Sequence, residues 1–156
     1  MPSRHRIGLI SDTHGLLRPA ALTALAGSDR IIHAGDIGDP AILEALAAIA
    51  PVTAVRGNND RDAWAAHIPE TAVLAIGAWS ILVVHDVNTL AGNPATAGHH
   101  AVVAGHSHQP KHEQRGSVHY VNPGSAGPRR FRLPISVGLI EAGPRGFEVR
   151  LVELTA

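Results

Sequence analysis

The chain has 156 residues, 45% of them apolar, which is enough for one covered domain and too much for a disordered segment. Its formal charge is zero at pH 7 with no long run of one sign, so the electrostatic footprint of a nonspecific nucleic-acid binder is missing. Cysteine is absent, which excludes disulfides, thiolate zinc sites and a cysteine nucleophile, and no apolar run is long enough to span a bilayer.

Residues 7–10 read as a strand, with Ile7, Leu9 and Ile10 running into Ser11-Asp12-Thr13-His14. A helix over residues 18–25 follows, with Pro19 in its first turn and Gly27 as its stop. The second strand, Ile31-Ile32-His33-Ala34, ends on Gly35-Asp36. Asp39-Pro40 then opens a helix in which Ile42, Leu43, Leu46 and Ile49 recur at helical spacing until Pro51. Val52-Thr53-Ala54-Val55 runs into Gly57-Asn58-Asn59-Asp60, completing β-α-β-α-β punctuation.

Residues 73–76 and 81–84 read as an antiparallel pair, the second ending on His85-Asp86. Residues 90–98 are ambiguous, because Gly92, Asn93 and Pro94 interrupt any helix near its start. Ala101-Val102-Val103-Ala104 leads into Gly105-His106-Ser107-His108. Beyond it the pattern is mostly β, with strands on either side of Gly116 and a late pair at residues 135–140 and 147–154. The chain reads as one α/β domain over residues 1–156, with sheet packed on sheet.

Five apolar runs thus end on residues able to bind a metal. In open α/β sheets the loops at the carboxyl ends of strands form the ligand crevice, so residues far apart in sequence converge there. Asp12 and His14 are two apart, as are His106 and His108, and each pair shares a face if the chain stays extended. Mixed oxygen and nitrogen donors suit manganese, iron, zinc, cobalt or nickel better than a calcium site built from oxygen alone.

These blocks, in this order, resemble the calcineurin-like metallophosphoesterase superfamily and in particular its small single-domain bacterial and archaeal phosphodiesterases. Val121-Asn122-Pro123-Gly124-Ser125 resembles a further block of the short subfamily. The resemblance implies a four-layer αββα sandwich of two mixed sheets flanked by helices. It implies two divalent metal ions, manganese first, with nickel, iron, zinc, cobalt or magnesium as alternatives. One ion is expected on Asp12, His14, Asp36 and His108, the other on Asp36, Asn58, His85 and His106. The implied reaction is hydrolysis of a phosphate ester, most readily a diester, by a metal-bridging hydroxide.

Many family members carry His directly after the metal-binding Asn, where it assists the phosphate and protonates the leaving oxygen. Here that position is Asn59, whose amide donates a hydrogen bond but has no proton to give up. Activated diesters such as aryl esters are therefore the expected substrates, and alkyl monoesters poor ones. Asp60 is expected either to orient its neighbour or to cap nearby backbone.

Of the eleven histidines, His33 reads as a packed or hydrogen-bonded residue, and Arg129, Arg130 and Arg132 as a solvated loop. The expected partner is a small phosphate ester, with no membrane and no nucleic acid. The late apolar strands are able to pair between subunits, so a homo-oligomer is an allowed arrangement. Cytoplasm is the expected location. Two other readings share the fold class: a protein-binding scaffold of little catalytic power, as in the retromer subunit that resembles this superfamily, and a metal-dependent nuclease.

Overall fold

The computed structural model describes residues 4–90, 92–130, 132–144 and 146–154, so the ends of the expected 1–156 domain and Ala91, inside the ambiguous stretch, lie outside the described residues. Two five-stranded mixed sheets pack face to face. The first is built on β1 (His5–Ile10), β2 (Arg30–His33) and β3 (Val52–Ala54), which pair in parallel through α1 (Pro19–Leu25) and α2 (Pro40–Ala47). Both helices start where Pro supplies a helical φ and needs no N–H partner, and Asp39 caps α2 by accepting the N–H of Ala41 at 2.9 Å.

The second sheet holds β4 (Thr71–Ile76), β5 (Trp79–Val84), β6 (Ala101–Val103), β7 (Lys111–Arg115) and β8 (Val118–Asn122), in the order β4-β5-β6-β8-β7. The late pair β9 (Ser136–Gly143) and β10 (Gly146–Glu153) returns to the first sheet, where β9 runs antiparallel to β1.

Strand alternation sorts the core. Ile7, Leu9 and Ile32 face the second sheet and pack with Ile81, Val83 and Val103, whereas Ile10 and Ile31 face the helices and pack with Leu25, Ile42 and Leu46. Each fully buried aliphatic contributes roughly 1.5–3 kcal/mol, so truncating Ile32 to Ala costs about 2–5 kcal/mol.

The two-sheet sandwich is the expected one, with one departure in its outer layer. Both α-helices lie on the first sheet, and no described residue forms an α-helix over the second. That outer face carries Val84, Val102, Ala104 and Val118 beside Leu82, Leu90 and Tyr120, and among the described residues the 3-10 turn Val87–Thr89 and the turn after it lie over part of it. Gly92 at φ 76°, Pro94 and Gly98 at φ 87° are incompatible with continuous helix here.

Candidate metal centre

Parallel pairing brings the carboxyl ends of β1, β2 and β3 to one edge of the first sheet, and those of β5 and β6 to one edge of the second. The loops beyond them are laced by backbone bonds: Asp12 N–H to Gly35 O at 3.0 Å, His14 N–H to Asp36 O at 2.9 Å and Gly105 N–H to His85 O at 2.9 Å. This lacing corrects the expectation of an extended chain. Among the described residues, the non-glycine residues at positive φ are Asp12, His14, Asp36, His106 and His108, every one an expected ligand. The backbone turns left-handed at each, at a cost on the order of 1–3 kcal/mol per residue, and so points side chains inward that a pleat would not bring together.

Asp12 Oδ1 lies 3.7 Å from His14 Nε2, 3.5 Å from His108 Nε2 and 4.0 Å from His85 Nε2. Asp36 Oδ2 lies 3.2 Å from His85 Nε2 and 3.7 Å from His14 Nε2. Two sets of donors therefore cluster within 4.8 Å: Asp12, His14 and His108, and Asp12, Asp36 and His85. Asp12 faces both sets, although it was expected on the first ion alone. Asn58 and His106 stand further out and line a cleft with His85 and Asp86. The His106 ring is 5.1 Å from that of His85, is 45% exposed, and approaches Asp86 Oδ2 at 3.8 Å.

The buried atoms at the centre fit a cation. Asp12 Oδ2 accepts from Ser11 Oγ at 2.7 Å and from His106 N–H at 3.1 Å, while buried Oδ1 has no hydrogen-bond partner. His85 Nδ1 is 2.8 Å from Ala34 O, so it carries the proton and leaves an Nε2 lone pair facing the carboxylates. That Nε2 is also buried without a partner, because its short contact with Asp36 is too poorly aligned to be a hydrogen bond. Orphaned acceptors of this kind cost about 1–3 kcal/mol each, which a divalent ion relieves.

Charge within the cluster is uneven. Burial pushes the Asp36 carboxyl up, but contacts with His85, the Asn59 amide and His14 hold it down at about 2. Asp12 is likewise lowered, against burial, by His14, Ser11, His85 and His108. Both stay ionised at neutral pH and ready to ligate.

Asn59 donates its backbone N–H to Asp36 Oδ1 at 2.9 Å and its side-chain amide to Oδ2 at 3.2 Å. Asp60 is buried and accepts three backbone N–H groups, from Ile37, Gly38 and Gly57, each at 3.0 Å. Space is also reserved: a Cβ on Gly57 would collide with the backbone N and carboxylate of Asp36, and one on Gly105 with Ser11 and Asp12.

In the sequence Ser11 and Thr13 have no individual role, and Asn122-Pro123-Gly124-Ser125 reads as a structural turn near the site. Ser125 Oγ donates to Asp12 O at 3.0 Å, and Asn122 Nδ2 donates to Gly105 O at 3.0 Å. His33, fully buried, accepts Gly35 N–H at 3.1 Å through Nδ1, so its Nε2–H donates to Thr13 Oγ1 at 3.0 Å, and Thr13 in turn donates to Ile37 O at 2.8 Å. Ser11, Thr13 and His33 are signalled in the sequence only by adjacency to the ligand blocks, and Asn122 and Ser125 by the block at residues 121–125.

Residues 6–143 match the calcineurin-like phosphoesterase superfamily domain. The chain belongs to that family. It is 31% identical over 131 residues to a probable metallophosphoesterase of Methanothermobacter thermautotrophicus, covering 76% of each protein. Among solved structures, a predicted phosphoesterase from Streptococcus pneumoniae TIGR4 superposes with a TM-score of 0.73 at 23% identity, covering 97% of this chain and 90% of that one. Vacuolar protein sorting 29 from Cryptosporidium parvum gives a TM-score of 0.77 at 19% identity, covering 98% and 99%. The family is one of metallophosphoesterases that use divalent metals, and the two donor sets above are groups able to hold such ions.

Proposed function

We propose that this phosphoesterase is a phosphodiesterase working with two divalent cations. Asp12, His14, Asp36 and His108 would hold one, and Asp36, Asn58, His85 and His106 the other. The observation that carries this reading is the pair of buried, partnerless atoms Asp12 Oδ1 and His85 Nε2, 4.0 Å apart beside Asp36. When bound, divalent ions supply Lewis-acid charge to phosphoryl oxygens and lower the pKa of coordinated water.

The chain's own residues set the rest. Asp60 and the His33–Thr13 bridge fix the loops, so the ligands are aligned before substrate arrives. Asn59 gives one amide N–H to Asp36 Oδ2 and would donate the other to a phosphate oxygen. It holds no transferable proton, so the leaving group departs unassisted from that position. Aryl diesters are accordingly the favoured substrates.

Metal-stripped protein reconstituted separately with manganese, nickel, zinc and magnesium, and assayed on a panel of mono- and diesters, tests metal and substrate together. The diesterase activity is expected to fall at least about a hundredfold in Asp36→Ala and in His85→Ala; activity indifferent to both would belong to a contaminant. Likeness to vacuolar protein sorting 29 supports a second reading, a protein-binding scaffold. Full metal loading without turnover of any ester would favour it.

A further inference from the structure

The outer face of the second sheet, with no α-helix over it among the described residues, carries a groove that starts at the metal loops. Asp86 and His106 form its near end, Val102 and Ala104 its floor, and Tyr120 and Arg115 its far end, enclosing about 280 Å³. That is the scale of one small organic group, not a polymer. His106 and Asp86 also line the cleft of Asn58 and His85, so groove and metal centre are continuous.

Register explains the lining. Val102 sits opposite Tyr120 and Tyr120 opposite Glu113, which places the three side by side on the outer face, while Val103 and Val121 point into the core. At the far end one carboxylate is shared between two cations, which leaves an excess of one positive charge. Arg115 binds the Glu113 carboxylate at 2.9 and 3.4 Å and lies 4.7 Å over the Tyr120 ring, and Lys111 binds Glu113 at 3.3 Å. The Asn122 amide nitrogen is engaged by Gly105 O and Ser107 Oγ. An apolar floor ending in a braced guanidinium–phenol stack offers a planar ring both an apolar bed and a flat cationic face to stack on.

We propose that this groove binds a planar aromatic substituent of the phosphate ester, a nucleobase or a phenol ring, while the phosphate occupies the metal centre. The inference rests on the phosphoesterase reading and adds a substrate class to it.

The test is amide shift mapping of magnesium-loaded, isotope-labelled protein titrated with methyl phosphate, phenyl phosphate and adenosine monophosphate. Methyl phosphate is expected to shift the metal-centre loops at residues 12–14, 36, 58–59, 85 and 105–108, and not Val102 or Tyr120. The aromatic esters are expected to shift Val102 and Tyr120 as well. A response to the nucleotide alone identifies a nucleobase site, and a response to both identifies a general aryl site. Tyr120→Ile keeps a β-favouring apolar residue but removes the ring, and is expected to lower the affinity ratio of aromatic ester to methyl phosphate roughly tenfold. Aromatic esters that leave Val102 and Tyr120 unshifted in the unsubstituted protein overturn the groove while methyl phosphate binding still upholds the metal centre. Absence of binding by all three esters overturns both.

Discussion

The Asp60 carboxylate accepts the backbone N–H of Ile37 at 3.0 Å, tying the loop after β3 to the loop after β2. The same oxygen takes the N–H of Gly57 and the other takes that of Gly38, so one side chain fixes the approach of Asp36 to Asn58. An Asn at this position would turn an NH₂ group toward at least one of those donors. Asp60→Asn is expected to cost about 1–3 kcal/mol in urea unfolding and to weaken metal binding by roughly 10–100-fold. Unchanged values of both would show that the clamp is dispensable.

Gly57 and Gly92 separate space from backbone strain. A Cβ at Gly57 would meet the Asp36 backbone and carboxylate, atoms that cannot yield without moving a ligand, whereas at Gly92, with φ 76°, nothing lies within 4 Å. Gly57→Ala is expected to lower both stability, by about 1–3 kcal/mol, and metal affinity. Gly92→Ala is expected to cost only its left-handed strain, about 1–2 kcal/mol, and to leave metal affinity alone. Calorimetric metal titration of both variants distinguishes the two effects.

His33 makes stability depend on pH. Burial drives its pKa from 6.5 down to about 4, against the pull of the Asp12, Asp60 and Asp36 carboxylates. Between these values the unfolded chain binds a proton that the folded chain refuses, so stability is fully present above pH 6.5 and drains away as the pH falls toward 4. The loss is on the order of 3 kcal/mol. Urea unfolding in chelator across that window is expected to be steeper for the parent than for His33→Gln. Equal slopes would mean that His33 titrates normally.

Asn59 predicts a leaving-group effect. Rates across a series of substituted phenyl diesters are expected to rise steeply with phenol acidity in the parent and less steeply in Asn59→His, where an imidazole can protonate the departing oxygen. Supplying general-acid assistance is worth roughly 10²–10⁴-fold, seen most on the least acidic phenols. A flat series in the parent would place another acid at the site.

Much of the fold was legible because its signals are local. Pro19 and Asp39-Pro40 mark helix starts through a fixed φ and a cap, and the apolar runs at residues 7–10, 31–34 and 81–84 are strands because they bury side chains on both faces. The stretch at residues 90–98 was open in sequence, since a Gly and Pro pattern says where a helix fails and not what takes its place.

By itself, the sequence determined which side chains are offered and at which strand ends, because residue type and apolar periodicity are written in the chain. Tertiary structure alone decided that Asp12 faces both donor sets, that five candidate ligands sit at positive φ, and that His33 joins two loops. It also bared the face that runs from His106 to Tyr120. The physical reason is that these relationships join segments distant in sequence, fixed by parallel pairing and backbone lacing across strands, and no local pattern encodes them.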